Sequence, residues 1–168
     1  ASFLLACSDL QRARQTAAPI ASRTGYEPQI FPELRDINNG KAANLTRDQA
    51  RAISIPPSDP LIDWTPYPEA ESWRQFHARV TAFLETFGAR LEQSPESAAV
   101  LISHASTINI VVLWWLGLAA DINAFFRTGP ASLSVLSVSE WGERVVERLN
   151  DTAHLYGEGQ HDPIRLGR

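Results

Sequence analysis

The 168-residue sequence has no methionine, one cysteine and four histidines. Methionine is absent even from position 1, which implies a chain that begins inside a longer gene product or has been processed or trimmed. One cysteine excludes an internal disulfide, and no Cys/His grouping has the spacing of a zinc site. Lys and Arg number 15 against 19 Asp and Glu, a net charge of −4 with no basic block. That excludes the counterion-release mode of general nucleic-acid binding. No apolar run approaches the ~20 residues that span a bilayer. The opening residues lack both the basic n-region and the long apolar segment of a signal peptide. The expectation is a cytoplasmic, reduced setting with no nucleic-acid or membrane partner.

Apolar content of 44% and charged content of 20% are ordinary for a globular protein. The length suits one domain that buries about two-thirds of its unfolded surface. The chain is organised around Val100 to Leu118. Val100, Leu101 and Ile102 form an apolar run too short for a helix and typical of a strand buried on both faces. The small polar residues Ser103 to Thr107 follow, with Ser106 or Thr107 available to cap a helix. Ile108 to Leu116 is apolar around most of its circumference, which predicts a buried helix closed by Gly117. His104 therefore sits in a strand-to-helix turn, at the sheet edge where ligands bind and where a helix N-terminus attracts anions. A core histidine satisfied by a backbone group is the competing reading.

A second strand-to-helix turn stands near the start. Phe3 to Cys7 reads as a strand, and Ser8 or Asp9 caps a helix to about Ser22 whose buried stripe is Leu10, Ala13, Ala17, Ile20 and Ala21. Arg12 and Arg14 oppose the helix dipole in its first turns, an unfavourable placement that a bound anion would reverse. Arg12 is thus either an anion ligand or a solvated side chain offset by Asp9. A phosphate loop built on Cys7 needs an arginine six positions on, but position 13 is Ala and Arg12 falls one residue early. Cys7 is read as a packing residue.

Asn39-Gly40 is a turn signal, with the loop carboxylate Asp36 just before it. Thr46 with Gln49, and Ser72 with Gln75, form capping boxes. The first opens a short helix to about Ile53. The second opens a long amphipathic helix with apolar positions from Trp73 to Leu91 and His77 at the edge of its stripe. Residues 56–68, rich in proline and carrying Trp64 and Tyr67, predict a structured loop of the kind that forms lids. Two strands, Leu133 to Val138 and Arg144 to Leu149, meet at a Trp141-Gly142 turn. His154 and His161 lie in or near the polar tail 157–168 and carry no assigned chemistry.

The sequence resembles the histidine phosphatase (phosphoglycerate mutase-like) superfamily over nearly its whole length. The family's SSDLxRAxQTA matches Ser8 to Ala17, and its LRE-x3-G matches Leu34-Arg35-Asp36 and Gly40, with Asp in place of Glu. PGGES matches Pro68 to Ser72 with both glycines replaced, SHGG matches Ser103 to Ser106, and the ending LNDTAHL stands at Leu149 to Leu155. Five motifs in the right order make a specific match. The resemblance implies an α/β fold, three-layer α/β/α with a mostly parallel central sheet. It implies one domain over residues 1–156, with a lid-like segment at 36–68. It also implies a phosphohistidine mechanism in which Arg12 and His104, with the Ala105 backbone, hold phosphoryl oxygens and Asp36 is the proton donor. That chemistry uses no cofactor and no metal. The implied partner is a small phosphorylated substrate or inorganic phosphate. A homodimer is compatible with the family.

One departure is decisive. The family's nucleophile lies in an N-terminal Arg-His-Gly motif, and no Arg-His-Gly occurs in this chain. In the family that first strand lies inside the sheet. The expectation is a phosphatase in the complete protein and little or no catalysis by these 168 residues alone. A non-catalytic phosphate-binding or structural relative, or a mutase-type phosphoryl transferase, is the alternative.

Overall fold

The computed structural model describes residues 2–96, 98–122 and 124–156. The tail 157–168 lies outside them. The chain divides between Ala124 and Phe125 into two compact units.

The first unit is built on a parallel three-stranded sheet: β1 (Leu4–Cys7) lies between β2 (Gln29–Ile30) and β3 (Ala99–Ile102). Period-two alternation along β1 sends its side chains to two different cores. Leu4 and Ala6 meet Phe76, Val80 and Phe83 of α3 (Trp73–Glu92) and Ile110 of α4 (Ala105–Trp115). Leu5 and Cys7 meet Ala13 and Ala17 of α1 (Gln11–Thr24). Helices therefore cover both faces of a parallel sheet, in three layers. α3 is the main wall: Phe76, Val80, Phe83, Leu84 and Phe87 recur at helical spacing and are all buried. Phe76 is fully buried, so its truncation to Ala removes about 3–5 kcal/mol.

Both capping boxes form. Thr46 Oγ1 accepts from Gln49 N and opens α2 (Arg47–Ala52), and Ser72 Oγ accepts from Gln75 N at the head of α3. The other two helices do not start as expected. α1 begins at Gln11 with Leu10 as N-cap and no side-chain cap, because the Ser8 and Asp9 side chains are engaged elsewhere. α4 begins at Ala105 with His104 as N-cap, which places Ser106 and Thr107 inside its first turn. The strand at 100–102 is also not buried on both faces. β3 pairs with β1 along one side, and Val100 is 37% exposed.

In the loop that follows β2, Gly40 adopts φ +54°, and a Cβ there would fall 2.2 Å from the Pro68 carbonyl oxygen. Trp64 donates its indole N–H to the Ile55 carbonyl, and Ile55 N–H bonds to the Pro66 carbonyl, so the proline-rich segment is structured. The second unit is an antiparallel pair, β4 (Leu133–Val138) and β5 (Arg144–Asp151), turning at Gly142 with φ +83°. No helix among the described residues is long and apolar enough to cross a membrane.

Candidate active site

The register of the sheet places three loops at one edge. Cys7 is level with Ile30 on one side and Ile102 on the other. Because the strands are parallel, the segments that leave them emerge together: Ser8 to Arg12, Phe31 to Asp36, and Ser103 to Ala105. This is the carboxyl edge of an open α/β sheet, the usual position of its ligand site.

Arg12 and His104, ninety-two positions apart, meet there: Arg12 Nε donates to His104 Nδ1 at 3.0 Å. A guanidinium N–H can only donate, so Nδ1 carries a lone pair and the imidazole proton sits on Nε2. Nε2 lies 3.0 Å from Ser8 Oγ, which accepts that proton and also the Leu10 N–H. Ser8 is fully buried and His104 is 7% exposed, whereas 61% of the Arg12 side chain is open to solvent. Burial pushes the His104 imidazole below its ordinary pKa, and the Arg12 guanidinium adds to that, against the opposite pull of Asp36 and Asp9.

Asp36 stands on the other side of Arg12, with Oδ2 3.5 Å from a terminal guanidinium nitrogen. Its Oδ1 accepts the Ile37 N–H at 3.0 Å. Asp9 does not offset Arg12. It pairs instead with Arg35, whose Nε donates to Asp9 Oδ1 at 2.7 Å, and this bond holds the Asp9 carboxyl below its ordinary pKa. Ala105, the first residue of α4, is exposed at the same edge. The arrangement gathers a guanidinium, an imidazole, a carboxylate and a helix N-terminus around a partly open site. Those are the groups that neutralise an oxyanion and exchange a proton.

Several residues of this neighbourhood carry no signal in the sequence alone. Ser8 reads as a helix cap, but its Oγ accepts a hydrogen bond from the His104 Nε2–H. Ser103 Oγ donates to the Leu34 carbonyl at 2.7 Å, and Thr107 Oγ1 donates to the Arg35 carbonyl at 2.9 Å, tying the β3–α4 turn to the Asp36 segment. The side chain of Arg79 reaches the same segment from α3 and is paired with Glu71. His77, half-buried on α3, has its pKa lowered by burial, and its Nε2 is buried without a hydrogen-bond partner. Among the described residues, no three or more His, Cys, Asp or Glu side chains are grouped to hold a metal ion.

Comparison with known proteins identifies the family and the fold. The family model of the histidine phosphatase superfamily (branch 1) matches residues 2–152. A Yersinia pestis protein named "Probable phosphoglycerate mutase GpmB" is 31% identical over 155 residues, covering 88% of this chain and 71% of that protein. The mycobacterial glucosyl-3-phosphoglycerate phosphatase, solved with inorganic phosphate, is 26% identical with a TM-score of 0.67, over 89% of this chain and 77% of that one. The α-ribazole phosphatase of Shigella flexneri shares the fold at 21% identity and a TM-score of 0.72, over 89% of this chain and 74% of that one. With the family model spanning nearly all of the described residues and the sheet edge built as it is, the chain belongs to the histidine phosphatase superfamily, whose members are phosphatases and mutases.

Proposed function

We propose that the complete protein is a phosphomonoesterase acting on a small phosphorylated metabolite through a phosphohistidine, with Arg12 and His104 as phosphoryl ligands and Asp36 as proton donor. The observation that carries this reading is the 3.0 Å contact between Arg12 and His104, flanked by Asp36. The nucleophilic histidine comes from a segment preceding residue 1, which would add a strand to the sheet. Among the described residues β3 is an edge strand, and its side away from β1 is open to such pairing. In the first step the nucleophile attacks phosphorus and the bond to the leaving oxygen breaks. The leaving oxygen takes a proton from Asp36. Water then attacks the phosphohistidine, gives its proton to the Asp36 carboxylate, and releases phosphate. Arg12, His104 and the Ala105 amide at the head of α4 stabilise charge on the phosphoryl oxygens throughout. Arg12 must turn from the His104 ring toward the anion, a motion its exposed side chain permits, and His104 then takes a proton at Nδ1 so that it donates to a phosphoryl oxygen.

The compact connection between Asp36 and Pro68 favours hydrolysis over phosphoryl transfer between two sugar acids. Its half-buried Trp64 and Tyr67 suit a substrate with an apolar portion. The test is hydrolysis of p-nitrophenyl phosphate by the full-length protein and by the 168-residue chain. The expected result is turnover by the first and almost none by the second. No turnover by the full-length protein would leave a non-catalytic phosphate-binding relative as the better account.

A further inference from the structure

Asp36 replaces a residue one methylene longer in the family pattern, so its reach depends on where its backbone is held. That backbone is fixed from outside the sheet edge. Arg79 Nε and one terminal nitrogen form a two-point pair with the Glu71 carboxylate, both bonds 2.8 Å long. The rest of the guanidinium donates to three carbonyls of the Asp36 segment: Glu33 at 2.7 Å, Arg35 at 3.3 Å and Asp36 itself at 3.3 Å. Glu71 closes the other end, since its Oε2 accepts the Asn38 N–H at 2.9 Å and its own N–H donates to the Asn38 carbonyl at 2.8 Å. Only a quarter of the Arg79 side chain and 19% of the Glu71 side chain are exposed, so the pair is largely shielded from solvent screening. Arg79 also stacks its guanidinium 5.1 Å over the Phe76 ring, which is fully buried in the core. The clamp thus runs from the core of α3 to both sides of Asp36.

We propose that Glu71 and Arg79 are positioning residues for the proton donor, setting the place of the Asp36 carboxylate by holding the backbone from Glu33 to Asn38. This rests on the reading of Asp36 as the general acid. A leaving group that needs a proton reports on that role, and one that departs as a stable anion does not. The experiment compares an alkyl phosphomonoester, glycerol 2-phosphate, with p-nitrophenyl phosphate in the full-length protein. Asp36→Asn lowers kcat/KM, which ends at formation of the phosphohistidine and so excludes the shared hydrolysis step, by about a hundredfold or more on the alkyl ester, the scale of general acid catalysis, and by less than about tenfold on the nitrophenyl ester. Arg79→Lys, which replaces the planar fork with a point charge, gives the same pattern in kcat/KM at smaller size: about tenfold on the alkyl ester and less than about threefold on the nitrophenyl ester. Added to Asp36→Asn, it costs nothing more on the alkyl ester. If Arg79→Lys does not fold, Glu71→Gln, of nearly equal volume, gives the deciding pattern. An equal loss of kcat/KM on both substrates, or no loss on either, overturns the clamp's role. If Asp36→Asn itself spares the alkyl ester, or the full-length protein has no activity, the reading beneath fails and the inference falls with it.

Discussion

Two strand-to-helix turns carry the two proposed phosphoryl ligands, and they are finished in opposite ways. Between β1 and α1 three residues intervene, Ser8 to Leu10, and the cationic side chain belongs to the second residue of the helix. Between β3 and α4 only two intervene, and the imidazole belongs to the N-cap residue itself. Arg12 is long and mostly in solvent; His104 is buried and bonded at both ring nitrogens. The difference separates two tasks. A buried ring, held by a buried serine, marks a fixed point against which an anion is located. In the proposed function, a long exposed guanidinium supplies charge and is free to turn from the ring to the ligand. Preorganisation therefore resides on the β3–α4 side and adaptability on the β1–α1 side.

The largest effects come from removing either end. In the full-length protein, His104→Ala and Arg12→Ala each reduce turnover about a hundredfold or more, the scale of losing one transition-state charge partner. Unchanged kinetics in either variant removes that residue from the site. The comparison sharpens with Ser8→Ala. Loss of the acceptor leaves a buried imidazole N–H unsatisfied, at about 1–3 kcal/mol. Ser8→Ala should lower stability by that amount in chemical denaturation, whereas Arg12→Ala, on the exposed side, should cost under about 1 kcal/mol. Equal losses would contradict the assignment of rigidity to one turn.

A third prediction follows from the neutral state of His104. Its pKa in the folded chain lies below the ordinary 6.5, as does that of His77. The unfolded chain then binds more protons as pH falls through about 6.5, so stability is complete above that value and is lost below it. The slope is at most about 1.4 kcal/mol per pH unit for each histidine. Denaturant titrations between pH 7.5 and 5 should show the decline, and His104→Gln should flatten part of it. A flat profile in the parent chain would mean that the imidazole is not held neutral. The smallest effect is at the Asp9–Arg35 pair. With half of the Arg35 side chain exposed, Asp9→Asn should change stability by only about 0–1 kcal/mol.

The parts legible in the sequence are those with a local signature. The α3 stripe, the two capping boxes, the Asn39-Gly40 turn and the paired strands after residue 130 all follow from short-range spacing. The convergence of Arg12 and His104 also follows, since parallel strands send their carboxyl ends to one edge. Ser8 was not legible, because a serine between strand and helix is indistinguishable from an N-cap until the histidine facing it is known. Nor were the Asp9–Arg35 and Glu71–Arg79 pairs, whose partners are 26 and 8 positions apart and meet only through the fold. Val100 misled for a related reason. An apolar run states that a strand prefers burial, not which strand lies beside it. Asp36 was singled out by the family pattern alone, since nothing in the local spacing puts that loop carboxylate 3.5 Å from Arg12.

The account stands on one anion being shared by Arg12 and His104, and the His104 ring can report this directly. Its imidazole resonances in the 168-residue chain should be followed by NMR against pH, with and without inorganic phosphate. A bound anion favours the charged ring, so phosphate should raise the His104 pKa in the parent chain and leave it nearly unmoved in Arg12→Ala. A titration indifferent to phosphate in the parent, or an equal rise without the guanidinium, would contradict the shared site.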